Sequence, residues 1–162
     1  MMRFTRRMTR RTFAATSLGA MAAIGAPMAG QTQGAAPVRL PIPPDVEKAN
    51  VALVNAFCAA WGKGDITTIG NALADNCAFR ISQSRPPIVG KQAVMDAITG
   101  FLKDGPIEFK ILKTVVLGPV VLNEREDYLP AAGGRPARVI RIHAGMFFVA
   151  NGKIVEWTDY AV

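Results

Sequence analysis

Histidine is almost missing from this 162-residue chain: His143 stands alone, and cysteine is limited to Cys58 and Cys77. A zinc centre needs three or four His, Cys or carboxylate ligands at short spacing. No such spacing occurs, so no metal site is expected. A Ser-His-Asp or Cys-His nucleophile system would have to recruit the one imidazole, and no nucleophile elbow accompanies it. Long apolar runs are lacking as well. The best of them, Phe13 to Met28, is short and built largely from Ala, Gly and Met, which argues against a membrane anchor.

The positive charge is concentrated at one end. The net charge is +7, from 19 basic and 12 acidic residues, but Arg3, Arg6, Arg7, Arg10 and Arg11 supply five of the positives ahead of any acid. Without those five, 14 basic residues face 12 acidic ones, a net of +2. Nucleic-acid binding thereby loses its main support. A basic start followed by an apolar small-residue run has the layout of an export signal. Thr9-Arg10-Arg11-Thr12-Phe13 carries the twin-arginine pattern. Residues 1–30 therefore read as a twin-arginine signal peptide, with cleavage expected between Ala26 and Ala36. Residues 31–44, rich in Gln, Ala, Gly and Pro, read as a linker, and 45–162 as one domain. The mature protein is expected in the periplasm or secreted, with no stable membrane insertion after cleavage. That route carries folded proteins, so Cys58 and Cys77 are read as buried thiols, although an oxidising compartment would permit a bridge.

Helical spacing of Val46, Asn50, Leu53/Val54, Phe57 and Trp61 predicts one amphipathic helix, started at Pro43-Pro44-Asp45 with Asp45 as its cap. Asp65 can cap a second helix with Ile66, Ile69 and Leu73 inward. Cys77 to Ser82 reads as a strand, and Gly90 to Leu102 as a third helix with Val94, Ile98 and Phe101 inward. After Pro106 the period changes to two: Ile107, Phe109 and Ile111 alternate with charged residues. Strands follow over Val120–Leu129, Arg138–Ala150 and Lys153–Tyr160, the last two joined by the hairpin signal Asn151-Gly152. Helices first and antiparallel strands after them predict an α+β fold.

Val120 to Leu129 is the informative strand, because both of its faces carry charge. One face is Val120, Leu122, Glu124, Glu126 and Tyr128; the other is Val121, Asn123, Arg125, Asp127 and Leu129. Two unpartnered glutamates cost more to desolvate than an Arg-carboxylate pair. This favours Asn123, Arg125 and Asp127 facing inward. An outward ladder of salt bridges on an exposed sheet face is the other reading. On the last strand Val155, Trp157 and Asp159 share a face, with Ile154, Glu156, Thr158 and Tyr160 opposite. Asp159 is either a second inward carboxylate or a solvated chain end.

The strand Val121-Leu122-Asn123-Glu124-Arg125-Glu126-Asp127 resembles the Arg-x-Asp strand of limonene-1,2-epoxide hydrolases. Gly152-Lys153-Ile154-Val155-Glu156-Trp157-Thr158-Asp159-Tyr160 is similar to their terminal strand, and Ile88-Val89-Gly90 before the third helix fits as well. The wider group has the nuclear transport factor 2-like fold, which also hosts ketosteroid isomerases, polyketide cyclases and non-catalytic binders.

The resemblance implies a cone-shaped α+β fold: a curved mixed or antiparallel sheet with three N-terminal helices on its concave side. It also implies a homodimer, a hydrophobic small-molecule substrate and no cofactor. Asp159 would deprotonate a water, a protonated Asp127 would donate to the epoxide oxygen, and Arg125 would fix both. Where the family places a Tyr and an Asn to hold the water, this chain has Phe79 and Ile81, with Ser82, Gln83 or Ser84 nearby. Phe79, Ile81, Asn123, His143 and Trp157 are the candidate substrate-binding residues, and Met146 or Phe148 would extend the apolar lining. Three functions stay open: an epoxide hydrolase, a ketosteroid-isomerase- or cyclase-like enzyme with a single Asp base, and a periplasmic binding module.

Overall fold

The computed structural model describes residues 42–161; the signal peptide, its cleavage region and most of the linker read from the sequence lie outside them. Helix α1 spans Pro44–Trp61. It starts two residues earlier than a cap at Asp45 implies, and Asp45 does not cap it. The cap position is Pro43, held extended with φ −57° and ψ 139° and making no side-chain cap bond. A proline at the first helical position already has a helical φ and has no N–H to leave unpaired. Asp45 and Glu47 sit in the first turn, where negative charge suits the helix dipole. The buried Asn50 donates from Nδ2 to the Gly118 carbonyl at 3.1 Å. Glu47 Oε1 accepts from the Gly118 N–H at 2.6 Å, so one face of α1 is tied to a strand turn.

Helix α2, Ile66–Ala72, is capped as its sequence predicts: Asp65 accepts from the Thr68 N–H at 3.0 Å and from its hydroxyl at 2.6 Å. Ile69 and Leu73 are buried beneath it, and Ile66 is half-buried. Strand β1 follows without a loop and runs Leu73–Arg80, earlier than the expected Cys77–Ser82. Ile81 and Ser82 fall in the turn beyond it, because pairing of Leu73 with Ile154 draws the strand start back to the end of α2. β2 is only Ile88–Val89, and α3 is Lys91–Leu102. Strands β3 (Glu108–Leu117), β4 (Val120–Leu129), β5 (Arg138–Ala150) and β6 (Lys153–Ala161) follow. The β5–β6 turn has Asn151 at φ 52° and Gly152 at φ 69°, the two positive values that a two-residue hairpin of this kind requires.

The six strands form one sheet in the order β2-β1-β6-β5-β4-β3. Only β1 and β6 pair parallel; the other neighbours are antiparallel. The sheet is thus mixed, and with the three helices it forms the expected α+β cone.

Its curvature has a local origin. Ile111 pairs with Arg125 and Lys113 with Glu124, leaving Leu112 as an extra residue on β3. Asn123 pairs with Gly145 and Arg125 with Ile142, so His143 and Ala144 together oppose Glu124 on β5. Both neighbours of β4 therefore bulge at the same level, and a bulge bends and twists its strand. A further extra residue on β6, Val155, lies between the pairs Val149–Ile154 and Phe148–Glu156. The bent sheet encloses a core in which Phe57 of α1 meets Trp61, Phe147 and Trp157 edge-on, at ring separations of 5.2–6.2 Å. Val54, Ile69, Val94, Ile98, Val121 and Ile154 fill the remainder.

Candidate active site

A cavity of about 260 Å³ opens on the concave side of the sheet. Apolar side chains make most of its wall: Trp61, Phe79, Phe101, Ile107, Phe109, Ile140, Ile142 and Trp157. Asp127 and Asp159 supply its acids and Arg138 its one base. Asp127 comes from β4 and Asp159 from β6, two strands away, with β5 between them. Asn123 pairs with Gly145, and Gly145 with Asp159. The missing side chain at Gly145 is what connects the two strands. A Cβ there would collide with Arg125 Nη1 and lie 2.6 Å from Asn123 Oδ1. The arginine crosses β5 through that gap.

Arg125 is fully buried and uses four hydrogen bonds to hold its surroundings. Nε and Nη2 fork onto Asp127 at 2.7 and 3.3 Å. Nη2 also donates to Asp159 Oδ2 at 2.8 Å, and Nη1 to Asn123 Oδ1 at 3.1 Å. The amide of Asn123 is fixed in turn, since Nδ2 donates to Cys58 Sγ at 3.6 Å. Phe109 lies 4.4 Å below the guanidinium carbon, a weakly hydrated cation on an aromatic face. Asp159 has a second donor: Trp157 Nε1 meets its Oδ1 at 2.8 Å.

One positive charge thus serves two carboxylates in a largely dry pocket. With both acids ionised the group would carry a net negative charge at low dielectric, and a single bound proton removes it. Desolvation accordingly raises the Asp127 pKa to about 6; Arg125 opposes the rise and Asp159 adds to it. Burial also raises Asp159, opposed by Arg125 and by the Trp157 hydrogen bond. For Arg125 burial works against the charge, but the two carboxylates outweigh it and the guanidinium stays protonated. Cys58 is pushed up to about 12 by burial and is an inert thiol. Cys77 is likewise free and buried.

The structure brings together seven of the eight residues singled out from the sequence: Asn123, Arg125, Asp127, Trp157 and Asp159 are buried around one cluster, and Phe79 and Ile81 line the cavity beside it. Phe79 is buried and stacks on Trp157 at 4.2 Å. Ile81 lines the mouth of the cavity, 42 % exposed, from the turn after β1. His143 does not belong to the site. It is exposed and borders a shallow groove with Lys113, Val115 and Glu124, because the β5 bulge turns it to the outer face between the inward Ile142 and Gly145. Arg141 also points outward, to Glu124 at 2.7 Å and Glu126 at 3.0 Å. The salt-bridge ladder considered for β4 exists, therefore, on its other face.

Met146 and Phe148 do not line the cavity; between them Phe147 is buried in the core against Phe57 and Trp157. Ile154 is buried as well as Trp157, since the extra Val155 resets the alternation. Ser82 and Ser84 hydrogen-bond each other at 3.0 Å near the surface and do not line the cavity. Trp61, Gly145 and Arg138 belong to the site without a mark in the sequence that assigns them to it. Trp61 ends a helix face already read as apolar, whereas Gly145 carries no signal in its side chain.

The curved mixed sheet with helices over its concavity defines the nuclear transport factor 2-like class. Residues 48–161 match the family described as limonene-1,2-epoxide hydrolase catalytic domain, and the chain belongs to that family. No curated protein matches the sequence. Among solved structures, an LEH-like epoxide hydrolase of M. tuberculosis superposes with a TM-score of 0.64 at 26% identity, over 72% of this chain and 84% of that one. An NTF2-like protein of unknown function from Burkholderia pseudomallei gives 0.63 at 13% identity, over 70% and 91%. A SnoaL-like protein from Shewanella denitrificans gives 0.61 at 16% identity, over 70% and 90%. At that identity the last two speak for the fold alone.

Proposed function

We propose that the protein is an epoxide hydrolase that adds water to a hydrophobic small molecule in one step. The observation that carries this reading is Arg125 bonded to both Asp127 and Asp159, the two acids lining the apolar cavity while the arginine stays behind them. One-step opening needs a base for water and an acid for the epoxide oxygen at the same moment, so the two carboxylates must differ in protonation. Their environments differ in the required sense. Asp159 accepts from both Arg125 and Trp157, and donors to a carboxylate favour its ionised form. Asp127 accepts twice from Arg125, its Oδ2 contact being the longer at 3.3 Å; the proposed mechanism assigns the proton to this oxygen.

In the step itself, ionised Asp159 takes a proton from water as the water oxygen bonds to carbon. The carbon–oxygen bond of the ring breaks, and Asp127 delivers its proton to the departing oxygen. A vicinal diol results. The proton gained by Asp159 then returns to Asp127, which resets the pair. Arg125 touches neither water nor substrate; it is a positioning residue that keeps the two acids at one shared proton.

A single observation favours a second reading. Phe79 and Ile81 offer no hydrogen bond to a water, and of the side chains lining the cavity only Asp127, Asp159 and Arg138 are charged. A lone Asp base on this fold would serve an isomerase- or cyclase-type reaction, and an idle one a binding module. Turnover in water enriched in oxygen-18 separates the three. Hydrolysis places one labelled oxygen in the diol. Isomerisation leaves the product mass equal to that of the substrate, and a binder shows ligand-dependent thermal stabilisation without product.

A further inference from the structure

The cavity wall contains one cation, and the hydrolytic step has no use for it. Arg138 opens β5 opposite Leu129. It lies two residues before Ile140 and four before Ile142, both of which line the cavity, so all three share the inner face of the strand. Arg138 borders the cavity and also the two surface grooves that adjoin it. Among the described residues no carboxylate lies within ion-pair distance of it. Asp104 and Glu108 border those grooves without pairing with it. Lys103 and Arg135 stand in one of the same grooves, so three bases surround the mouth against the two acids.

We propose that Arg138 receives the carboxylate of an amphipathic substrate, making the preferred epoxides those of unsaturated carboxylic acids rather than neutral hydrocarbons. This rests on the hydrolase reading of the Asp127–Asp159 pair. A neutral substrate would press its apolar surface against the mouth and desolvate a guanidinium with nothing in return. A carboxylate meets the same fork with two charge-assisted hydrogen bonds. The surrounding excess of positive charge draws anions toward the opening.

Register sets the spacing. Asp127 pairs with Ile140, one pleat repeat along β5 from Arg138, or about 7 Å at the usual strand rise. The epoxide and the acid group are therefore separated by a short run of apolar carbons, and these lie against Ile140, Leu129 and Ile107. Binding energy from the anionic end holds the ring at the carboxylates, as remote contacts commonly do in enzymes.

Two measurements on the full chain test this. Unreactive decanoate and methyl decanoate are titrated into wild type, Arg138→Met and Arg138→Lys by calorimetry. Decanoate should bind wild type at least tenfold tighter than its ester, a ratio that one charge-assisted pair can supply. The ratio should fall to near one in Arg138→Met and be partly kept in Arg138→Lys. In parallel, kcat/KM for an epoxydecanoate and for its methyl ester should show the same preference and the same collapse. Equal binding of acid and ester by wild type, or a ratio unchanged in Arg138→Met, overturns the anion site. Absence of diol from both epoxides in every protein overturns the hydrolase reading instead, and the decanoate ratio then still decides for or against Arg138.

Discussion

On the proposed mechanism, Asp159→Asn is expected to lower kcat for epoxide opening by about two to four orders of magnitude, the range over which a positioned general base contributes. The protein should stay folded, because an amide of the same size can still accept from Arg125 and Trp157 through its oxygen. What it cannot do is take a proton from water. The variant is therefore expected to bind substrate about as well as wild type while forming almost no diol, a loss in kcat rather than KM.

In the proposed mechanism the opposite requirement falls on Asp127 of the wild-type protein, which must be protonated to donate. Its pKa is raised to about 6, so activity should fall as pH rises through that region. A pH–rate profile together with a circular dichroism comparison of the two proteins checks both parts. An Asp159→Asn enzyme with near-normal kcat would remove Asp159 from the mechanism.

Arg125→Met is expected to have the largest effect on stability. The guanidinium is fully buried between two carboxylates that are nearly buried themselves. Removing one member of a buried charged group leaves the others uncompensated and typically costs about 3–5 kcal/mol. The pH dependence distinguishes this from simple loss of packing. Without Arg125 both acids lose the interaction that lowers their pKa values, so their folded-state values rise further above those of the unfolded chain. A raised carboxylate pKa favours the folded state at low pH, and that contribution is lost as pH rises through the folded value. The deficit of Arg125→Met relative to wild type should accordingly be largest above neutral pH and shrink toward pH 5. Urea denaturation at several pH values measures it. A deficit independent of pH would mean that the arginine acts through packing alone.

The site was readable where one strand kept its alternation, and obscure where a strand did not. On β4 the two charged faces pose a choice, and the cost of burying Glu124 and Glu126 without partners points to Asn123, Arg125 and Asp127 as the inner set. Each is buried, and the glutamates take up Arg141 outside. Asp65 before α2 and Asn151-Gly152 before β6 were legible for a related reason: each acts through backbone groups within a few residues of itself. The bulges are different. Opposing Glu124 with two residues of β5 is a property of the paired sheet, and nothing in Ile142-His143-Ala144-Gly145 read alone says which residue is the extra one. His143 was placed in the pocket on that account and stands outside it. The same holds for Val155, whose insertion lets Ile154 and Trp157 both face inward.

Arg138 lay at the junction of a Gly/Pro-rich loop and a strand, where no alternation had yet begun to assign it a face. The role of Gly145 became visible only once β4 and β6 were known to flank it. A glycine is recognisable as a passage for another side chain only after that side chain has been located.

The proton shared by the two acids is the physical basis of the proposed chemistry, and carboxyl carbon NMR of the protein labelled with 13C-aspartate observes it directly. Titrated from pH 4 to pH 8, with Asp127→Asn and Asp159→Asn to assign the signals, the pair should retain one proton to an apparent pKa near 6, well above the ordinary carboxylate range. Two carboxyls that both ionise below pH 4.5, as solvated aspartates do, would contradict it.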